Sequence, residues 1–170
     1  MPASYREQFA SKEEASKYDS VVYAAGTVSD VLWRVESEVL QKLVDEVRRT
    51  HERIDYLDFA CGTGRIISFL EDKVDTATGI DISQAMLDAA KEKVGRADLV
   101  CKDITDGQDR VERQYDLITA FRFLLNAEPS LRQVALRQLS ARLRGSDSVL
   151  LLNTHGNPLS YKALFVPYHW

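Results

Sequence analysis

A chain of 170 residues can bury one proper core but not two comfortable ones, and 45% hydrophobic with 28% charged residues is ordinary for a globular domain. The net charge of −4 is spread over interspersed acids and bases, which leaves no electrostatic footprint for nucleic acid. No stretch approaches the ~18 consecutive apolar residues of a membrane helix, and Met1–Glu7 lacks the basic-then-apolar pattern of a signal peptide.

Cys61 and Cys101 are the only cysteines. They are expected as reduced, buried thiols on or beside strands of a cytoplasmic protein, and they have too few potential ligands nearby for a metal site.

Residues 1–29 read as a polar arm, with Tyr18 and Tyr23 in a Tyr-Asp-x-x-x-Tyr arrangement before Gly26. From Val31 a helix is expected. Val31, Val35, Val39, Leu43 and Val47 recur every fourth residue, with Leu32, Leu40 and Val44 beside them, as one broad apolar face, with Asp30 at the N-cap. A buried strand over 54–59 then runs into Ala60-Cys61-Gly62-Thr63-Gly64 and a short helix carrying Ile66, Ile67, Phe69 and Leu70. Gly62 and Gly64 lack the Cβ atoms that would keep a ligand off the turn, and the helix behind offers unpaired N–H groups.

A second strand is expected over 76–80, ending in Asp81. Ser83 is the better cap for the helix through Met86, Leu87, Ala90 and Val94, which leaves Asp81 for a ligand. Third and fourth strands are expected over 97–101 and 115–120. Pro129 opens a helix carrying Leu131, Val134, Ala135, Leu139 and Leu143, and Val149–Leu152 is a fifth strand. Such alternation implies an α/β fold: one open, mostly parallel sheet with helices on both faces. Ligands of these sheets sit beyond the carboxyl ends of the strands, where Asp58, Asp81, Asp103, Phe121–Asn126 and Asn153–Asn157 all fall.

In this order the motifs resemble those of the class I, Rossmann-like S-adenosylmethionine-dependent methyltransferases. Asp58-Phe59-Ala60-Cys61-Gly62-Thr63-Gly64 resembles their first motif, and Gly79-Ile80-Asp81-Ile82-Ser83 with Met86 the second. Lys102-Asp103-Ile104 resembles the third, and Tyr115–Phe121 the fourth. The resemblance implies S-adenosylmethionine as cofactor and S-adenosylhomocysteine as product. It implies that Asp58 holds the methionine ammonium over the loop Ala60–Gly64, and that Asp81 accepts the ribose hydroxyls. Ile82 and Met86 flank the adenine, Asp103 and Ile104 meet its edge, and Ala120 and Phe121 close the methionine side. It further implies that Tyr18 and Tyr23 belong to an N-terminal lid over the cofactor, with 30–157 the cofactor-binding core of a single domain.

The chain departs from the family in three places. Ala60 stands where the first glycine of the loop is usual, and Arg144-Gly145-Ser146-Asp147 where a Pro-Gly-Gly turn is common. The family's sheet has seven strands, whereas residues 158–170 only begin a C-terminal part. A chain lacking the last strands is expected to leave the fifth strand as an exposed edge open to self-association.

The reaction implied is in-line methyl transfer to a small-molecule acceptor, with catalysis mostly by positioning. His155 is the one candidate general base, although a loop histidine without a role is the commoner reading. Arg122 could orient an anionic acceptor or pair with a surface carboxylate, the latter slightly preferred, and Arg65 could simply pack. One alternative is a nicotinamide-dependent dehydrogenase, whose third glycine position is taken by Ile67. The other is an inactive cofactor-binding remnant or partner subunit.

Overall fold

The computed structural model describes residues 28–153. Five strands form one sheet: β1 (Asp55–Phe59), β2 (Thr76–Asp81), β3 (Asp98–Cys101), β4 (Leu117–Ala120) and β5 (Val149–Leu152). They lie in the order β3-β2-β1-β4-β5, and every pairing is parallel. The chain builds outward from β1 to β3, then returns to place β4 on the other side of β1. The carboxyl ends of β1 and β4 therefore border the crevice where ligands of such sheets sit.

Helix α1 (Val28–Thr50) precedes β1, α2 (Arg65–Leu70) joins β1 to β2, and α3 (Gln84–Ala90) joins β2 to β3. The short α4 (Phe123–Asn126) and α5 (Pro129–Ser140) lie between β4 and β5. One sheet face packs Tyr56 and Leu117 against Leu40, Val44 and Val47 of α1 and Ile66, Ile67 and Leu70 of α2. The other packs Leu57, Phe59, Ile80 and Ile118 against Phe123 of α4 and Ala135 and Leu139 of α5. Helices on both faces are as expected. β5 has a strand partner on one side only among the described residues.

The apolar stripe of α1 divides in two. Leu40, Val44 and Val47 are buried, while Val31, Val35 and Val39 are exposed. A series spaced by four residues drifts by about 40° per step on a helix of 3.6 residues per turn, so its two ends face different ways. The helix also starts at Val28, which puts Asp30 in the first turn rather than at the cap. There its charge still complements the helix dipole. Cys61 is buried as expected, but Cys101 is exposed, on β3, which among the described residues has a strand partner on one side only.

Arg144 staples the strand ends opposite the crevice. Its guanidinium donates to both oxygens of Asp116 at 2.7 and 2.6 Å and to Asp55 Oδ2 at 2.5 Å. Asp116 also accepts the Asp55 N–H at 2.8 Å, so β1 and the approach to β4 share one carboxylate. Burial pushes the Asp55 carboxyl up, but hydrogen bonds from Thr76, Arg144 and Arg53 outweigh it and hold the group at about 2. The Arg144 turn, a departure from the family pattern, thus fixes the register of the two strands that border the crevice.

Candidate functional site

Beyond the carboxyl ends of β1, β2 and β4 lies an open cleft. The β1–α2 loop forms its floor through three left-handed residues, Ala60 (φ 54°), Gly62 (φ 54°) and Gly64 (φ 80°). The loop is tied to β2: the Cys61 N–H donates to Ile80 O at 3.1 Å and the Gly62 N–H to Asp81 Oδ2 at 2.8 Å. A Cβ on Gly62 would meet nothing within 4 Å, so its missing side chain leaves open space above the loop.

Asp58 is buried at the end of β1. Its Oδ1 accepts from Thr119 Oγ1 at 2.7 Å, while its Oδ2 has no hydrogen-bond partner among the described residues. Burial is the main force that raises its carboxyl, opposed by the Thr119 bond, reinforced by the nearby charge of Asp81 and opposed again by the Ile67 N–H in the first turn of α2 and by Tyr56; the result is about 7. A buried carboxylate oxygen without a partner is costly unless a cation meets it or the group takes up a proton.

Asp81 is raised by burial, against the opposing hydrogen bonds from the Ser83 and Gly62 N–H groups. Ser83 does cap α3, its Oγ accepting the Met86 N–H at 3.3 Å. The cap does not leave Asp81 idle, however: Oδ1 accepts the Ser83 N–H at 2.9 Å while Oδ2 holds the loop. Each oxygen keeps a second lone pair for a ligand hydroxyl. Asp103 Oδ1 accepts from both the N–H and the hydroxyl of Thr105, at 2.8 and 2.6 Å, which fixes the turn after β3.

The cleft brings together Asp58, Ala60, Cys61, Gly62 and Thr63 with Asp81, Ile82, Met86, Asp103 and Phe121. Three residues expected at the site do not line it. Gly64 is required for packing: a Cβ there would lie 2.9 Å from Ala90 Cβ and 3.1 Å from Val94 Cγ2. Its absence lets α2 start against α3. Ile104 and Ala120 bury their side chains in the core on the α5 side of the sheet. Tyr18, Tyr23 and His155 lie outside the described residues. Burial, reinforced by Asp58 and Asp81, pushes the Cys61 thiol well above its usual value, so this cysteine lines the cleft as a small, unreactive side chain.

Glu36 was not singled out from the sequence, yet it lines the cleft from α1. It pairs with Arg122 Nη2 at 3.9 Å and accepts from Asn153 Nδ2 at 3.4 Å. Arg122 does meet a carboxylate, but one inside the cleft wall rather than on the outer surface. Its backbone is left-handed (φ 61°) and held from two sides, the N–H donating to Asn153 Oδ1 at 2.5 Å and the carbonyl accepting from Asn126 Nδ2 at 2.7 Å. No periodicity or motif marks Glu36, because its neighbours in space come from the far half of the chain. Arg65 also lines the cleft, with its guanidinium 4.6 Å from the centre of the Trp33 ring.

Residues 57–145 match the family model described as a methyltransferase domain. The malonyl-[acyl-carrier protein] O-methyltransferase of Priestia megaterium is 30% identical over 132 residues, covering 72% of this chain and 45% of that protein. The enzyme of the same name from Anoxybacillus flavithermus is 26% identical over 138 residues, covering 77% and 49%. Among solved structures, a S-adenosylmethionine-dependent methyltransferase from Clostridium acetobutylicum superposes with a TM-score of 0.60 at 23% identity, covering 82% of this chain and 55% of that one. The sugar N-methyltransferase KedS8 from Streptoalloteichus sp. does so with a TM-score of 0.58 at 26% identity, covering 76% and 54%. The chain spans about half the length of the curated relatives it matches. With its parallel sheet, its left-handed loop after β1 and acids at the ends of β1 and β2, the chain belongs to the methyltransferase-domain family.

Proposed function

We propose that the cleft binds S-adenosylmethionine and that the protein transfers its methyl group to a small acceptor. The observation that carries this reading is Asp58, a buried acid that lines the cleft with the open glycine turn and whose Oδ2 has no hydrogen-bond partner among the described residues. A cationic amine is the chemistry that satisfies such an oxygen. Asp58 is assigned to the cofactor's ammonium, Asp81 to the ribose hydroxyls and Asp103 to the adenine amino group. Ile82 and Met86 are assigned to the adenine faces.

When bound, the cofactor supplies an electrophilic methyl group on a positively charged sulfur. The chain's own residues position it and keep the reacting end dry. Phe59 and Phe123, in edge-to-face contact at 4.9 Å, present apolar surface to the cleft. Weakly polar walls favour a transition state in which charge is being lost. For the acceptor, the relatives that act on malonyl-[acyl-carrier protein] support a carboxylate carried on a small acyl group. A carboxylate nucleophile is already ionised near neutral pH, so His155 need not act as a base on this reading. Family membership leaves the dehydrogenase alternative without support. We also propose a cytoplasmic setting, and self-association through the edge of β5 that has no strand partner among the described residues, which size-exclusion chromatography over a dilution series would test.

The experiment is calorimetric titration of S-adenosylhomocysteine and of NAD into the native chain and an Asp58→Asn variant. Saturable heat with the first ligand, lost in the variant and absent with NAD, is the expected result. Heat from NAD alone would overturn the reading, and heat from neither ligand would favour the inactive alternative.

A further inference from the structure

We infer that Tyr56 and Thr119 are positioning residues for the cofactor: together they aim Asp58 so that one of its oxygens is reserved for the ligand's ammonium. The inference rests on the cofactor reading above and deepens it.

The arrangement follows from register. Tyr56 and Asp58 are two residues apart on β1, so their side chains emerge on the same face of the sheet. Thr119 is the parallel partner of Asp58 on β4. Tyr56 Oη lies 2.6 Å from Thr119 Oγ1, which in turn donates to Asp58 Oδ1 at 2.7 Å. All of these side chains are buried. A threonine hydroxyl has one proton. Since Thr119 gives it to Asp58, Tyr56 must be the donor in the other bond. The relay therefore runs in one direction, from Tyr56 to Thr119 to Asp58, and delivers donor character only to Oδ1.

The consequence for ligand choice is specific. A carboxylate held on one oxygen by a buried, oriented donor cannot swing away to satisfy its other oxygen elsewhere. Asp58 lines the cleft, and a cation there is the partner that completes its buried, unpartnered Oδ2. Among the described residues, the titratable groups that act on Asp58 are Asp81 at the end of β2, Cys61 in the loop and Tyr56 on its own strand. The cations that line the same cleft are engaged elsewhere, Arg65 of α2 over the Trp33 ring and Arg122 against Glu36. When the ligand's ammonium docks, any proton on Asp58 must leave for solvent. By stabilising the ionised form, the relay eases that step.

The test is the pH dependence of S-adenosylhomocysteine binding, measured by calorimetry in two buffers of different ionisation enthalpy, so that proton release is read alongside affinity. In Thr119→Val the midpoint of the affinity profile is expected to move up by about one pH unit, equivalent to about tenfold weaker binding on the acid side. Affinity well above the midpoint should be restored. Tyr56→Phe is expected to move it in the same direction by less, and Thr119→Ser, which keeps the hydroxyl, to match the native chain. Circular dichroism identifies a variant that fails to fold, and Tyr56→Phe, which leaves the Asp58 bond in place, then carries the test. A uniform loss at every pH, or a profile that does not move, would overturn the inference while leaving the cofactor reading intact. Absence of binding by the native chain at any pH would overturn both.

Discussion

Asp81 Oδ2 accepts the Gly62 N–H at 2.8 Å, so the acid at the end of β2 holds the loop at the end of β1. Asp81→Ala is accordingly expected to do two things. It strands the N–H groups of Gly62 and Ser83, which lowers unfolding free energy by about 1–3 kcal/mol. It also removes the group assigned to the ribose. Urea denaturation checks the first effect, and a midpoint equal to the native chain's would show that the loop does not depend on this carboxylate.

Asp58→Asn should separate fold from function. Folding leaves the Asp58 carboxyl at about 7, so its ionised form is disfavoured in the native state. Replacing it with a neutral side chain of the same shape removes that penalty. At pH 8 the variant is expected to be at least as stable as the native chain while binding S-adenosylhomocysteine at least about tenfold more weakly. Thermal melts and calorimetry at that pH are the paired measurements. A variant that is less stable but binds normally would reverse the assignment.

The two perturbed acids of β1 pull stability in opposite directions with pH. Asp55 is depressed to about 2, so its contribution is present above the ordinary aspartate value of about 3.9 and is lost as pH falls from there through about 2. Asp58 is raised to about 7. The native state holds its proton more tightly than the unfolded chain between about 3.9 and 7, so stability falls as pH rises across that window. Melting temperature measured from pH 2 to pH 8 should peak in the mildly acidic range. The Asp58→Asn variant should show a shallower decline above the maximum, the remainder being carried by Asp81, which burial also raises, and a native profile still rising from pH 5 to pH 8 would contradict the assignment.

Ala60 takes a left-handed conformation at φ 54° without being glycine. That geometry costs an L-residue about 1–2 kcal/mol, part of which glycine would give back through its greater freedom in the unfolded chain. Ala60→Gly is expected to raise stability by up to about 1 kcal/mol and to leave ligand affinity within about twofold. Equilibrium denaturation decides, and a clear destabilisation would show that the methyl group packs usefully.

Much of the fold was legible because its signals are local. The apolar run of β1, the glycine turn and the Ser83 cap each sit within a few residues, and the alternation of strand and helix follows from them. Asp58 and Asp81, two acids that line the cleft, were legible as polar residues at strand ends. What remained hidden depends on register. Thr119 reads as an ordinary strand residue until β4 is laid against β1, which brings it opposite Asp58. Glu36 and Arg122 come from distant parts of the chain. Gly64 shows the converse: its place in a binding motif suggested ligand contact, whereas the crowding comes from Ala90 and Val94. The drift of α1 likewise turned a single apparent stripe into a buried half and an exposed half.

The most direct measurement is a crystal structure of the chain with S-adenosylhomocysteine. The amino nitrogen is expected about 3 Å from Asp58 Oδ2, with the ribose hydroxyls on Asp81. An amino group elsewhere in the cleft, with Asp58 Oδ2 still unmet, would contradict the role given to Asp58.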